Sequence, residues 1–596
     1  MIIFRRTLVV FIFICVTLLI ALLGLGLFYV ANNENTTKID KVTQFRSYDE
    51  IYNFIKDNTG NSQPLWKGQL ENAIISANEA MVDKSFSNTN VQVEGVDEAD
   101  LIKTDGNYIY ALSDNMVYII KVTDGIMNIE SSIKLSDIEN TYSSSSEMYL
   151  YENRLIIISH FYGFYGIEKN EVMPESYFRD NEEVSVIIYD TSDKKNPTKV
   201  NELTQQGYFA ASRMINNNLY LVTSKNVYET LIKQDDTKTF VPQLNNGSIS
   251  KSIDAKDIYV MPNPTFNSFV TVSSIDVLNP TDFKSVKSVL GSSGIVYSSK
   301  DNLYVTGYDT EELDGKVITK TSIIKFKLND GIISLSSTGS VNGSILNQFS
   351  MDEYNGYFRI VTTSNDYVIF SNELVTSSTT SEQGNNLYVL DSNLNQVSKI
   401  ENLAKGERVY SVRFDAEIAY FVTFKQVDPL FVVNISNPLE PKILTELKIP
   451  GFSEYLHVYN DKHLFGLGKD TDIDGRVNGL KISMFDITNK IDVSEKYKTI
   501  VADQFSYTEA SYNHKAILVS PEKSLVAFPI NDYYVIYSFN EQEGFKKMGD
   551  IKFDGAFYTS NRGLYIGDYI YAYNQKEIKS FNITKLEVVN NLVFPN

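Results

Sequence analysis

Asp470-Thr471-Asp472-Ile473-Asp474-Gly475 places carboxylates on alternate residues ahead of a glycine. Hard oxygen donors at that spacing suit calcium, and the glycine permits a tight turn around the ion. Asn478 stands at the ninth position that such a loop would have in an EF-hand, but the twelfth is Lys481 rather than glutamate. The expectation is a calcium loop completed by other residues, set against a solvated acidic turn in an acidic chain. Glu94, Asp97, Glu98 and Asp100 form a second acidic cluster. It could bind a cation or accept backbone N–H bonds at a strand closure. Alternation along a strand puts only some of these carboxylates on one side, which favours the structural role. Tyr162, Phe164 and Tyr165 sit between glycines in the run YGFYG. Exposed aromatics of that kind suit sugar stacking, membrane contact or protein recognition, or they pack their own loop. His160, His457, His463 and His514 are scattered; His457 and His463 flank one hairpin turn and read as structural. There is no nucleophile elbow, zinc-protease helix, phosphate loop or dinucleotide fingerprint. Abundant carboxylates always permit a glycosidase pair, but no spacing here selects one.

Whatever positions these residues must be built from a chain of 596 residues with 43% hydrophobic content, enough for a large core. The 39 Tyr and 34 Phe favour pleated, half-buried surfaces, so strands lead. Lys and Arg number 54 against 74 Asp and Glu, a net charge of −20. That argues against a nucleic-acid partner, which needs a basic footprint. Cys15 is the only cysteine, so neither an intrachain disulfide nor a cysteine zinc site can form.

Arg5 and Arg6 precede an uncharged apolar run from Thr7 to Ala31. It is long enough to span a bilayer and longer than an ordinary signal-peptide core. The arginines should stay cytoplasmic and Tyr29 should sit in the outer interface. Residues 1–31 then read as a cytoplasmic tip and transmembrane signal anchor of a single-pass cell-membrane protein, with a cleaved signal peptide as the rival. Either way the rest is extracytoplasmic. Residues 32–89 read as a juxtamembrane spacer with short helices. Ser47 and Glu50 have capping-box spacing, and Ile51, Phe54 and Ile55 form one apolar face. Residues 65–84 also read helical.

Internal repetition dominates residues 90–596. A strand opening on an LY-like or IY-like pair recurs nine times, at Tyr110, Ile156, Tyr220, Tyr304, Phe358, Tyr420, Phe465, Val526 and Tyr571. A third strand follows each one and often exits through Asp or Asn and an Asn-Pro turn, as at Asn196-Pro197, Asn279-Pro280 and Asn437-Pro438. The shortest repeat, about 45 residues, is that of a four-stranded propeller blade. The fold expected is all-β: a single large β-propeller of nine blades, with eight as the alternative. Ala99–Lys103 should be the first inner strand and Leu586–Phe594 the last outer one. Asn90–Glu94 is expected to add an edge strand to the last blade and close the ring. The long insertions, near 161–183, 225–269, 308–320, 364–385 and 469–479, all fall between second and third strands. One face should therefore carry the elaborated loops, where binding usually resides.

The stretch NVQVEGVDEADLIKTDG, Asn90 to Gly106, resembles the opening signature of a family of secreted or membrane-anchored proteins with a C-terminal β-propeller domain distantly related to WD-repeat propellers. PGFSEYLHVYNDKHLFGLGKD, GLKISMFDI and SPEKSLVAFPI resemble it too. The resemblance covers nearly all of residues 90–596. It implies the propeller fold and export, and it carries no catalytic residues. The function expected is a membrane-anchored binding or scaffold module that presents one face to an extracytoplasmic protein or glycan, assisted by calcium if the 470–475 loop binds it. The alternatives are an exported glycan-acting hydrolase or lyase with carboxylates in the funnel, and a structural subunit of a larger membrane complex.

Overall fold

The computed structural model describes residues 42–58 and 86–595, apart from 136–143, 162–181, 263, 265–266, 292–293, 314–315, 373–374, 381–382, 425–427 and 555–559. The expected membrane span Thr7–Ala31 and the helix expected over 65–84 lie outside the described residues. Among the described residues no helix is long and apolar enough to cross a membrane.

Nine antiparallel sheets succeed one another along the chain, and they are the blades of one β-propeller. Blade 1 runs through Ile102–Thr104, Tyr108–Ser113, Met116–Thr123 and Ile126–Lys134. Blades 2 to 9 span 144–206, 208–290, 296–342, 351–403, 408–449, 452–503, 518–552 and 562–593. In each, the first strand is innermost and the fourth outermost. Second and third strands such as Leu525–Ile530 and Tyr533–Asn540 are almost wholly buried, whereas the fourth strand Lys442–Ile449 alternates exposed and half-buried residues. Ten clusters of buried apolar side chains fill the spaces between and beside the blades, as stacked two-faced sheets require.

The repeated residues have identifiable work. In seven blades the Asp or Asn ending the third strand accepts the N–H two residues on. The pairs are Asp190–Ser192, Asp276–Leu278, Asp391–Asn393, Asn434–Ser436, Asp486–Thr488, Asn540–Gln542 and Asn582–Thr584, all at 2.7–3.1 Å. These are Asx turns, which bend the chain into the fourth strand. Blades 1 and 4 turn instead on Asp124-Gly125 and Asp330-Gly331, with both residues of each pair at positive φ.

Several of these turns also dock on the blade before. The outer strand of one blade donates to a carbonyl in the next blade's turn: Ser131 Oγ to Lys194 at 2.6 Å, Asn201 Nδ2 to Pro280 at 2.6 Å, and Thr445 Oγ1 to Lys490 at 3.0 Å. The buried Tyr220 hydroxyl accepts the Gly331 N–H of blade 4 at 3.0 Å.

The ring closes by the same means and not by strand exchange. Blade 9 takes all four strands from Arg562–Val593, so Asn90–Glu94 does not supply the edge strand expected of it. Instead the N–H of Met127 donates to Asn590 Oδ1 at 3.1 Å, Ser113 Oγ donates to the Gln575 carbonyl at 2.6 Å, and Tyr118 stacks on Phe594 at 4.8 Å.

Ahead of the ring, Ser47 caps the helix Tyr48–Asp57 by accepting the Glu50 N–H. Its buried Ile51, Phe54 and Ile55 pack on Val227, Phe240, Ile253 and Ile258 of blade 3. Thr43–Gln44 pairs with Ile258–Val260.

The Asx turns make an acid-stability prediction. Asp190 is held at about 2 by the Ser192 hydroxyl and N–H and by Arg154, and Asp486 at about 2 by Thr488 and Lys496. Both lie below the ordinary carboxylate value of 3.8. Their contribution is therefore present above about pH 4 and lost as pH falls toward 2. Urea midpoints measured from pH 5 to pH 2 should fall across that window. Asp190→Asn should flatten part of the slope, modestly because the group is solvent-screened.

Candidate functional site

The insertions do share one face. In blades 3 and 5 a long connection joins the second strand to the third, in blade 4 the two strands themselves lengthen into a hairpin, and in blade 7 only the turn 472–476 lies between them; the blade 2 insertion is outside the described residues. Two of them are braces rather than free loops. The blade 3 insertion sends Gln243–Asn245 onto the outer strand of blade 2, with Leu244 opposite Gln205, and lays Ile258–Val260 parallel to its own outer strand. In blade 5 it sends Tyr367–Asn372 onto Lys316–Val317 of the long blade 4 hairpin. Paired backbone gives this face a rigid frame.

The longest link between blades, residues 504–517, crosses the same face from blade 7 to blade 8. It carries Phe505 at 86% exposure beside the exposed Tyr507 and Tyr512. Asn531 of blade 8 accepts the Tyr507 N–H at 3.0 Å, and its own N–H donates to the Tyr507 carbonyl at 2.9 Å. Lys469 of blade 7 donates to the Ser506 carbonyl at 3.3 Å. The hydroxyls of Tyr507 and Tyr512 hydrogen-bond to each other. This aromatic patch is therefore held in place from both blades. The sequence analysis missed it. Its signal was three aromatics, Phe505, Tyr507 and Tyr512, inside a polar link.

The centre of the ring is occupied by the lead-in segment, residues 86–100. Phe86 forms a β-bridge with Ile566 of blade 9, and the Ser87 N–H donates to Tyr565 at 2.9 Å. Asn90 Nδ2 donates to Tyr455 Oη of blade 7 and to the His514 carbonyl, both at 3.2 Å. Gln92 Nε2 donates to the carbonyls of Gln348 and Met351 at blade 5. Gly95, at φ +80°, lies so close to Lys300 of blade 4 that a Cβ would stand 2.7 Å from Cε. Asp97 and Asp100 then form two-way backbone bridges with Met214 of blade 3 and Met148 of blade 2.

Buried charges lock this plug. Arg562 donates to Asp100 at 2.7 Å and to Glu509 at 2.8 Å. Burial works against its charge, but the two carboxylates hold it protonated. Glu98 accepts the Gln92 N–H and faces Arg213 at 3.9 Å and His514 at 3.7 Å. Lys103 pairs with Asp97 at 3.0 Å. Burial pushes the Glu147 carboxyl up, but Lys515 at 2.9 Å holds it below its ordinary value. Burial drives His457 and His514 far down, so both are neutral. Each of these carboxylates stands beside a cation.

The anticipated residues fall as follows. Asp97, Glu98 and Asp100 meet at the centre in the structural role. Glu94 is exposed in the turn bridged by Val93 and Val96. Asp470 still belongs to the strand His463–Thr471, where it accepts from Lys498 at 3.0 Å and Asn478 at 3.1 Å. Asp472 accepts the N–H groups of Asp474 and Arg476, both at 2.9 Å, closing the turn on itself. Among the described residues no three acidic, His or Cys side chains gather where they could hold a metal. Tyr162, Phe164 and Tyr165 lie outside the described residues. All four histidines are buried.

Comparison with known proteins adds the following. The beta propeller domain family matches residues 86–586. An uncharacterized protein of Methanocaldococcus jannaschii is 29% identical over 95% of this chain and 94% of its own. An uncharacterized protein of Archaeoglobus fulgidus is also 29% identical, over 85% of this chain and 84% of its own. A solved eukaryotic initiation factor aligns at 11% identity and a TM-score of 0.27, covering 68% of this chain and 88% of that one.

The central charges make the plug testable. Asp100→Asn leaves Arg562 with one carboxylate in a buried site and should cost about 3 kcal/mol in urea unfolding. Adding Arg562→Met should deepen that loss, because the buried Glu509 carboxylate is then left without a cation.

Proposed function

The chain belongs to the beta propeller domain family, and on that premise we propose that it is an exported, membrane-tethered binding module. Its loop-rich face engages an extracytoplasmic protein or glycan. The observation that carries this reading is the placement of the described insertions of blades 3, 4 and 5 on one face, two of them pinned to the neighbouring blade by strand pairing. Neutral loop growth would have no reason to select one connection type. Rigid loops on a scaffold are where recognition is usually built.

Three further features support it. The Phe505–Tyr507–Tyr512 patch offers large apolar faces with polar hydroxyl tips, the surface that sugars and protein partners stack on. The acidic charge of −20 suits a soluble exported surface. The apolar run Thr7–Ala31 supplies the tether, and the helix Tyr48–Asp57, docked on blade 3, ends it on the propeller.

The test is a comparison of faces. A panel of cell-wall glycans and cell-surface extracts is presented to residues 40–596 and to Phe505→Ala/Tyr507→Ala. A second variant, Leu439→Ser/Ile491→Ser, alters exposed residues in the turns of the opposite face. Binding should drop at least tenfold in the first and persist in the second. Equal binding by all three proteins would remove the loop-rich face from consideration.

A further inference from the structure

Three blades carry a basic residue at one register position of the inner strand, opposite a tyrosine of the second strand. The pairs are Lys103–Tyr110, Arg213–Tyr220 and Arg413–Tyr420. Two of the three find partners in the centre. Lys103 reaches Asp97 and the Glu98 carbonyl. Arg213 reaches Gln348 Oε1 at 2.7 Å and faces Glu98. Arg413 is just as buried, at 5% exposure, yet its Nε has no hydrogen-bond partner and it makes no ion pair among the described residues.

Its surroundings show where it points. Tyr455 and His457 on the inner strand of blade 7, and Asp352 on that of blade 5, all sense its charge. Ser411, two residues back on the same face of the strand, donates its hydroxyl to the Ser453 carbonyl of blade 7, so Arg413 lies on the side of blade 6 that faces the blade 7 inner strand. Asp352 is already committed to Arg359, whose Nε donates to it at 2.9 Å. Asp415, two residues along, stands outside the 4 Å range of an ion pair. Other buried polar atoms near this sector are open. Gln348 Nε2 and both ring nitrogens of His514 are buried without hydrogen-bond partners. The turn Gln348–Ser350 packs on the blade 6 inner strand, and Phe349 meets His514 edge-on at 6.3 Å.

A desolvated guanidinium without a counter-charge is costly, and native proteins pair such groups or neutralise them with a ligand. We propose that the blade 6 sector of the central channel is a binding site for a small oxyanion, a carboxylate, phosphate or sulfate group, held by the Arg413 fork. The planar fork matches two oxygens of one such group. Gln348 Nε2 is the neighbouring donor.

The test is binding of acetate, phosphate and sulfate to the full chain, each exchanged for chloride at constant ionic strength. Equilibrium dialysis and thermal unfolding are the readouts. Acetate separates a planar carboxylate from the tetrahedral ions. At least one ion should bind once per chain and raise the wild-type Tm. Arg413→Met should abolish both effects, and Arg413→Lys should weaken binding about tenfold, because an ammonium cannot form the fork. Without oxyanion, Arg413→Met should be no less stable than wild type, since it removes an unpaired charge. The assignment fails if no ion binds above chloride, if Arg413→Met keeps the effect, or if that variant is strongly destabilised without oxyanion, which would mean the guanidinium is already satisfied.

Discussion

Nine inner strands around one axis present nine open edges to each other, and this is the constraint on which the rest of the molecule depends. An inner strand pairs with its own second strand on one side only. Its other edge leaves N–H and C=O groups facing the channel, where they need partners. Residues 86–100 supply many of them, running past blades 9, 8, 7, 5, 4, 3 and 2 before becoming the inner strand of blade 1. The acidic stretch reaches the centre because the inner strands offer Arg213, Arg562 and Lys103 to it. Charge complementarity fixes the register of the plug where apolar packing would leave it loose.

Around that centre the ring is held by repetition of small polar contacts. Third-strand turns are shaped by their own Asp or Asn, and several dock on the outer strand of the blade before. The junction between blades 9 and 1 uses the same contacts and an aromatic stack. Closure thus needs no exchanged strand, and the lead-in segment is free to fill the channel. A channel so largely filled leaves the recognition of large partners to the braced face and its aromatic patch.

The repeat and the blade count were legible because Tyr at the second strand and Asp or Asn at the third-strand turn serve local geometry, which spacing records. Their second role was not. That Tyr220 reaches Gly331 of the next blade depends on which blades are neighbours. The lead-in segment has strand-like alternation, so it reads as an edge strand. Which edge is open, the outer one of blade 9 or the inner ones of several blades, is a property of the assembled ring. Asp470 shows the same limit. Spacing grouped it with Asp472 and Asp474, but the strand continues through Thr471 and sets Asp470 beside Lys498 of the same blade. His457 reads as structural from its place beside a hairpin turn, and burial keeps it neutral.

The plug is tested most directly by replacing residues 88–93 with a glycine-serine run of equal length in the full chain. That change keeps the connection and removes Asn90 and Gln92. Hydrogen exchange at the inner-strand amides and the thermal midpoint are then compared with wild type. The account predicts a clearly lower midpoint and faster exchange at the inner strands of blades 5, 7 and 8. An unchanged midpoint with unchanged protection would contradict it, and the ring would have to be credited to the inter-blade contacts alone.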